Sequence, residues 1–306
     1  MQPENAEKYI CLDSEFVEGD EIIELSIYSY DRRQLYHERF KPRRYRTWDS
    51  SIHHITPEMV ADSPYFSDCK TAIQEIVDRA THLIGFAVDN DTSHLTSQGI
   101  HGLKEKRILE LRNWFWINYG KANGLDLFQK ISLDRISQEL GVSFGDEGMH
   151  SASGDTLATL DAQRQMLDRF VEERGLSDAS MEEIVEEFDR VYEAEKFEYD
   201  KEHSHGYALL LRFRDGYDIR CKSERPEPKA KLVATVEVED RNRALVELQS
   251  MFANRRKDGR GPYYLTKSDI ERFKGYSNGF DTEDHQLYSK LRALSGRFQV
   301  GALKRK

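Results

Sequence analysis

Residues 9–30, YICLDSEFVEGDEIIELSIYSY, read as two apolar strands joined by a turn-like EGDE, and two carboxylates stand inside the first strand. Asp13 and Glu15 occupy positions where a buried strand calls for Val or Ile. Side chains two apart on a strand share a face and lie roughly 6–7 Å apart at the backbone, so both point the same way. Two such carboxylates out of water repel and take up protons unless a cation neutralises them. Oxygen-only ligands select Mg²⁺ or Mn²⁺. A strand with one polar, solvent-facing side would show the same D-x-E pattern, which recurs at Asp281-Thr-Glu283 in what reads as a helix start.

RQLYHERFK supplies a third short strand after DRR, and three strands this closely spaced predict an antiparallel meander. Beyond Pro42 comes the loop RRYRTWDSSIHHITPEMV. A helix follows around CKTAIQEIVDRA, with Ala72, Ile73, Ile76 and Val77 on one face. THLIGFAV (81–88) reads as a buried strand, NDTSHLTSQG as the helix behind it, RILELRNWFW as a further strand and ISLDRISQEL as a helix. HSASGDTLATLDAQRQMLDRFVEER closes the unit with a long helix bearing Leu157, Leu160, Leu167 and Val171 at helical spacing. A meander followed by alternating strands and helices predicts an α/β fold with a mixed sheet flanked by helices.

Two further stretches bring acids toward Asp13 and Glu15. LIGFAVDNDTSHL puts Asp89 and Asp91 where a buried strand gives way to a helix, at the rim of the sheet. Spacing from Gly85 and the following Leu95 favour Asp91 as the functional acid. HSASGD puts His150 in the loop before the long helix and Asp155 in its first turn, so both can face one site. Each stretch alone also reads as ordinary helix capping, with Asp91, Ser151 or Ser153 in the cap.

Together and in this order, the stretches resemble the DEDDh family of 3′–5′ exonucleases, which includes RNase T, oligoribonuclease and polymerase proofreading subunits. The resemblance is carried by Asp13-Ser-Glu15, by Gly85 to Asp91 and by His150-Ser-Ala152-Ser-Gly-Asp155. HHITPEMVADSPYF and ISLDRISQELGV add to it, and it covers roughly residues 7–172. It implies an RNase H-like fold and two Mg²⁺ or Mn²⁺ ions held by Asp13, Glu15, Asp91 and Asp155. It further implies His150 as general base, and release of 5′-mononucleotides from the 3′ end of single-stranded RNA or DNA. The five-residue step from His150 to Asp155 is similar to the His rather than the Tyr subfamily. Many relatives carry Thr-Gly after the D-x-E and His-Asn after the glycine, where this chain has Phe16-Val17 and Phe86-Ala87. Phe16, Phe86 and His54 are the residues the resemblance sets near the substrate.

Composition limits the alternatives. Of 306 residues, 38% are hydrophobic and 33% charged, enough for a core beneath a strongly wetted surface. No apolar run approaches membrane-spanning length, and the start, MQPENAEKYI, lacks the basic flank and apolar stretch of a secretory signal. Three cysteines with no CxxC pair argue against a disulfide framework or zinc ribbon and point to a reducing cytoplasm. The net charge of −10 is uneven. Residues 251–306 hold 13 Lys+Arg against 6 Asp+Glu, so that end carries +7 and the remainder −17.

These features predict three parts: an exonuclease domain over 7–176, an acidic amphipathic linker helix over 177–202 opened by a Ser180–Glu183 capping box, and a small α+β accessory domain over 203–306. In the last part Arg255, Arg256, Lys257, Arg260, Arg272 and Lys274 alternate with Tyr263, Tyr264, Phe273 and Tyr276. That pattern suits single-stranded nucleic acid, and equally a small core with a basic surface or a protein-docking module. The expectation is a metal-dependent exonuclease. Its rival is a nuclease-fold scaffold that binds nucleic acid or protein without turnover.

Overall fold

Strands β1 (Tyr9–Val17) and β2 (Glu21–Ser29) pair antiparallel, and β3 (Gln34–Arg39) extends the meander along β2. β4 (His82–Gly85) and β5 (Arg107–Glu110) add in parallel on the other side of β1, giving a five-stranded mixed sheet in the order β3-β2-β1-β4-β5. The computed structural model describes residues 5–17, 21–125, 131–146, 148–226, 231–256 and 262–280. The chain divides into two compact units, Met1–Tyr192 and Glu193–Lys306.

The apolar character of β1 at both parities follows from cover on both faces of the sheet. Ile10 and Leu12 join one core with Ile27, Leu83 and the buried face of α2 (Phe66–Arg79). Tyr9 and Cys11 join the other, with Ile84 and residues of the long helix α6 (Ala152–Arg174). Continuing that alternation turns Asp13 and Glu15 toward α6. Cys11 shows the orientation directly, its Sγ lying 3.4 Å from the Thr156 carbonyl oxygen at the start of that helix.

The remaining α-helices among the described residues of the first unit are α1 (Ser50–His53), α3 (Asp89–Ser97), α4 (Leu111–Phe115), α5 (Leu133–Leu140) and the first part of α7 (Met181–Ser204). Three expectations are corrected. The strand foreseen over THLIGFAV (81–88) ends at Gly85, and the chain turns at Ala87, whose φ is 55°. The strand foreseen over RILELRNWFW stops at Glu110, whose carboxylate accepts the Arg112 backbone N–H at 3.4 Å. The chain then turns helical as Leu111, Trp114 and Phe115 bury one face. In α2, Ala72 is exposed and Phe66 takes its place beside Ile73, Ile76 and Val77.

The helix foreseen over the acidic 177–202 stretch runs as α7, opened by reciprocal bonds between Ser180 and Glu183. Its apolar residues Ile184, Val185, Phe188 and Val191 are buried in the core of the first unit, with Phe188 stacked on Trp114 at 3.7 Å.

In the second unit β6 (Gly206–Phe213), β7 (Gly216–Lys222) and β8 (Leu232–Val238) form an antiparallel sheet in the order β7-β6-β8. Helices α8 (Arg241–Met251) and α9 (Lys267–Lys274) supply Ala244, Leu248 and Phe273 to its core. The Asp215-Gly216 turn holds Gly216 at φ 140°, where an added Cβ would meet the Tyr263 carbonyl oxygen at 2.7 Å. The Asp281–Glu283 helix start, Lys257 and Arg260 lie outside the described residues.

Candidate metal centre

Asp13 and Glu15 from β1 and Asp155 from the first turn of α6 bring carboxylate oxygens within 4.8 Å of one another. Strand alternation aims the first two at α6, and the helix start brings the third to meet them. Ser151 caps that helix, its Oγ accepting the Gly154 N–H at 3.0 Å and donating to the Gly148 carbonyl at 3.0 Å. Gly154 is required there, because an added Cβ would sit 2.0 Å from the Gly148 carbonyl oxygen. His150 stands just outside the helix in a left-handed conformation, φ 63°, uncommon for a residue with a side chain. Its backbone N–H donates to Asp155 Oδ1 at 3.2 Å.

The electrostatics are those of an overcrowded acidic site. Burial, then the charges of Asp91, Asp155 and Glu15, drives Asp13 well above the usual carboxylate range. Burial with Asp155, Glu24 and Asp91 pushes Glu15 to about 8. Asp155 is raised by burial against the opposing bond from His150. None of the three pairs with a Lys or Arg among the described residues. An all-oxygen donor set whose negative charges cannot coexist unaided fits a hard divalent cation.

Asp91 stands beside this trio. It is buried while its neighbour Asp89 is exposed, and its Oδ1 accepts both the Ser14 backbone N–H at 2.9 Å and the Ser14 hydroxyl at 2.7 Å. Burial raises it to about 7, while those two bonds pull the other way.

Two carboxylates outside the sequence-derived set organise the surroundings. Glu24, fully buried and paired across the strands with Glu15, accepts the Ala152 backbone N–H at 2.8 Å and the Arg39 guanidinium at 2.7 Å. Glu110 accepts the backbone N–H groups of Ala87 at 3.0 Å and Val88 at 3.3 Å, holding the turn that leads to Asp91, in which Ala87 has φ 55°. Glu24 has a sequence signal, a charge inside the apolar EIIELSI, of the same kind that singles out Asp13. Glu110 has none, since the end of a strand is an ordinary place for a glutamate.

Of the expected substrate contacts, Phe16 is 41% exposed, with its ring 3.8 Å from that of His94 on α3. Phe86 is half-buried under the Arg112 guanidinium at 5.5 Å. His54 is exposed in the left-handed region at the end of α1. In the second unit Tyr263 and Phe273 are core residues, Arg255 pairs with Asp269 at 3.0 Å, and Arg256 lies over the Tyr263 ring at 4.1 Å. Much of that basic-aromatic alternation is therefore spent on packing, with Tyr264 left exposed.

A family model described as the RNase T exonuclease matches residues 10–162. Among solved structures the chain is similar to one described as 3′-end specific recognition of a histone mRNA stem-loop by a 3′-exonuclease, with 14% identity, 54% of this chain and 65% of that one covered, and a TM-score of 0.42. A full-length 3′-exonuclease shares 14% identity over 55% of this chain and 62% of that one, TM-score 0.41. The Saccharomyces cerevisiae pseudoubiquitin hydrolase–RNA exonuclease module in complex with AAGGA RNA shares 15% over 63% of this chain and 33% of that one, TM-score 0.42. The chain thus spans less than two thirds of each, and at these scores the likenesses carry no weight beside the family match. No curated protein matches the chain.

Proposed function

We propose that this chain, which belongs to the RNase T family of exonucleases, removes nucleotides stepwise from the 3′ end of single-stranded RNA or DNA, using two Mg²⁺ or Mn²⁺ ions and releasing 5′-mononucleotides. The observation that carries the reading is the meeting within 4.8 Å of Asp155 with Asp13 and Glu15, which stand more than a hundred residues before it. Divalent ions bound there would supply Lewis-acid activation of the scissile phosphodiester and offset charge on its departing oxygen.

The residues divide the remaining work. Asp13, Glu15 and Asp155 would hold one ion and Asp13 with Asp91 the second, the Ser14 hydroxyl and N–H fixing the Asp91 carboxyl. The His150 imidazole takes the proton of the attacking water as general base. Its own backbone N–H keeps it beside Asp155. Phe16, Phe86 and His54 line the approach of the strand end. Residues 7–176 are the exonuclease domain, 177–202 the acidic helical connection and 203–306 the accessory domain, which contacts nucleic acid or a protein partner. Cys11, Cys69 and Cys221 form no disulfide, which suits a reducing compartment such as the cytoplasm. No helix among the described residues is long and apolar enough to cross a membrane.

The test is a 5′-labelled single strand, RNA and DNA in parallel and of several lengths, incubated with Mg²⁺ or Mn²⁺. Shortening from the 3′ end that EDTA stops and Asp13→Ala abolishes is expected. A ladder that persists in Asp13→Ala would overturn the reading.

A further inference from the structure

Between β3 and α2 the chain passes through KPRRYRTW, residues 41–48, four cationic side chains and no acidic one in a protein of net charge −10. Two of the four are engaged locally. Lys41 Nζ donates to the Ala61 carbonyl at 2.9 Å, and Arg43 donates to Ser67 Oγ at 2.8 Å while covering the Tyr65 ring at 4.4 Å. Arg44 and Arg46 are exposed and make no ion pair or side-chain hydrogen bond among the described residues. Tyr45, between them, is 49% exposed and meets Trp48 edge-on at 5.0 Å.

The loop is nevertheless anchored. Trp48 Nε1 donates to the Ile55 carbonyl at 2.8 Å, and its ring packs on the cluster of Val17, Ile23, Ile55 and Val60. Val17 is two residues past Glu15, and Ile23 adjoins Glu24. The anchor therefore ties the cationic loop to the end of β1 that carries the carboxylates.

We infer that this loop is a binding surface for single-stranded nucleic acid, Arg44 and Arg46 taking backbone phosphates and Tyr45 an unstacked base, and that it holds the strand whose end enters the carboxylate site. The last clause rests on the exonuclease reading. Unpaired guanidinium groups release bound counterions from a polyanion when they meet its phosphates. An exposed ring held in place beside them offers a stacking surface to any base. An acidic protein partner would make use of the charge and leave the fixed aromatic unexplained.

The experiment is fluorescence anisotropy of the full chain with labelled oligouridylate and oligothymidylate, in EDTA so that no turnover intervenes, over about 50 to about 200 mM salt. Arg44→Ala with Arg46→Ala should weaken binding ~20-fold at the low-salt end and reduce the slope of log affinity against log salt by about 1.4. Lysine at both positions should restore the slope. Tyr45→Ala should weaken binding at least about fivefold with the slope unchanged. Because the side chains are exposed, the melting temperature should not move. Unchanged affinity and slope in the double arginine variant would overturn the inference, as would an equal arginine-dependent affinity for polyglutamate, which would assign the surface to an acidic protein. Arginine-dependent binding without strand shortening in Mg²⁺ would sink the exonuclease reading and leave the loop as a binding surface. Shortening with binding indifferent to Arg44 and Arg46 would do the reverse.

Discussion

Glu24 on β2 accepts the backbone N–H of Ala152, the first residue of α6, at 2.8 Å, and so fastens the sheet to the helix start that presents Asp155. Its second oxygen takes the Arg39 guanidinium at 2.7 Å, so each oxygen has a protein donor. Removing it strands a buried N–H and a half-exposed guanidinium. Glu24→Ala should therefore destabilise the fold by roughly 2–4 kcal/mol and slow strand shortening. Urea unfolding measures the first effect, and a loss below about 1 kcal/mol would mean that the helix start is held in some other way.

The raised carboxylates fix the sign of a pH dependence. Glu15 titrates at about 8 and Asp91 at about 7 in the folded chain, both well above their ordinary values. Between the unfolded and folded pKa values the native state holds protons that the unfolded state has given up. The metal-free protein should therefore lose stability as pH rises from about 5 to about 8. Mg²⁺ or Mn²⁺ should restore it, with a larger rise in melting temperature at the alkaline end of that range than at the acidic end. Thermal melts with and without the ions read both trends, and a metal shift independent of pH would contradict the electrostatic account.

Asp13→Asn separates stability from activity. It removes a charge that burial and Asp91, Asp155 and Glu15 all oppose. At pH 8 the metal-free variant should melt higher than the parent, by the equivalent of about 1 kcal/mol or more. It should also lose strand shortening and most of the metal-induced shift. A variant less stable than the parent in EDTA would show that the carboxylate is satisfied without a cation.

For His150→Ala the expected loss in rate is about 10²- to 10⁴-fold, the range of a removed general base. The backbone N–H that binds Asp155 survives this substitution, so the thermal shift with Mn²⁺ should persist. Loss of that shift would make His150 part of the metal centre rather than the proton acceptor.

The β1 carboxylates were legible because the mismatch between a charge and its strand is local, and the start of α6 because Ser151, Gly154 and Asp155 sit within one turn. Burial that depends on distant partners was not. Leu95, one turn beyond Asp91, separated it from Asp89, but the partner that holds Asp91, Ser14, lies 77 residues away and no local pattern points to it. Glu24 stands in EIIELSI with the same local mismatch as Asp13, but its partner Ala152 is 128 residues distant, so its anchoring role has no local signal. The strand read over RILELRNWFW fails at Glu110 because the apolar run serves two structures in turn. Ile108 and Leu109 lie on β5, and the three- and four-residue spacing of Leu111, Trp114 and Phe115 marks the helix. In the second unit, aromatics alternating with arginines were compatible with either a surface or a core, and packing assigned Tyr263 and Phe273 to the core.

Asp155 sits on the first turn of a 23-residue helix, a rod of about 35 Å, whose opposite end is seated among Phe170, Trp114 and Phe188. The rod is thus held at both ends, by Glu24 at its start and by the aromatic seat at the other. Loosening the seat at Phe170 should cost stability first, while the Glu24 bond keeps Asp155 against the sheet.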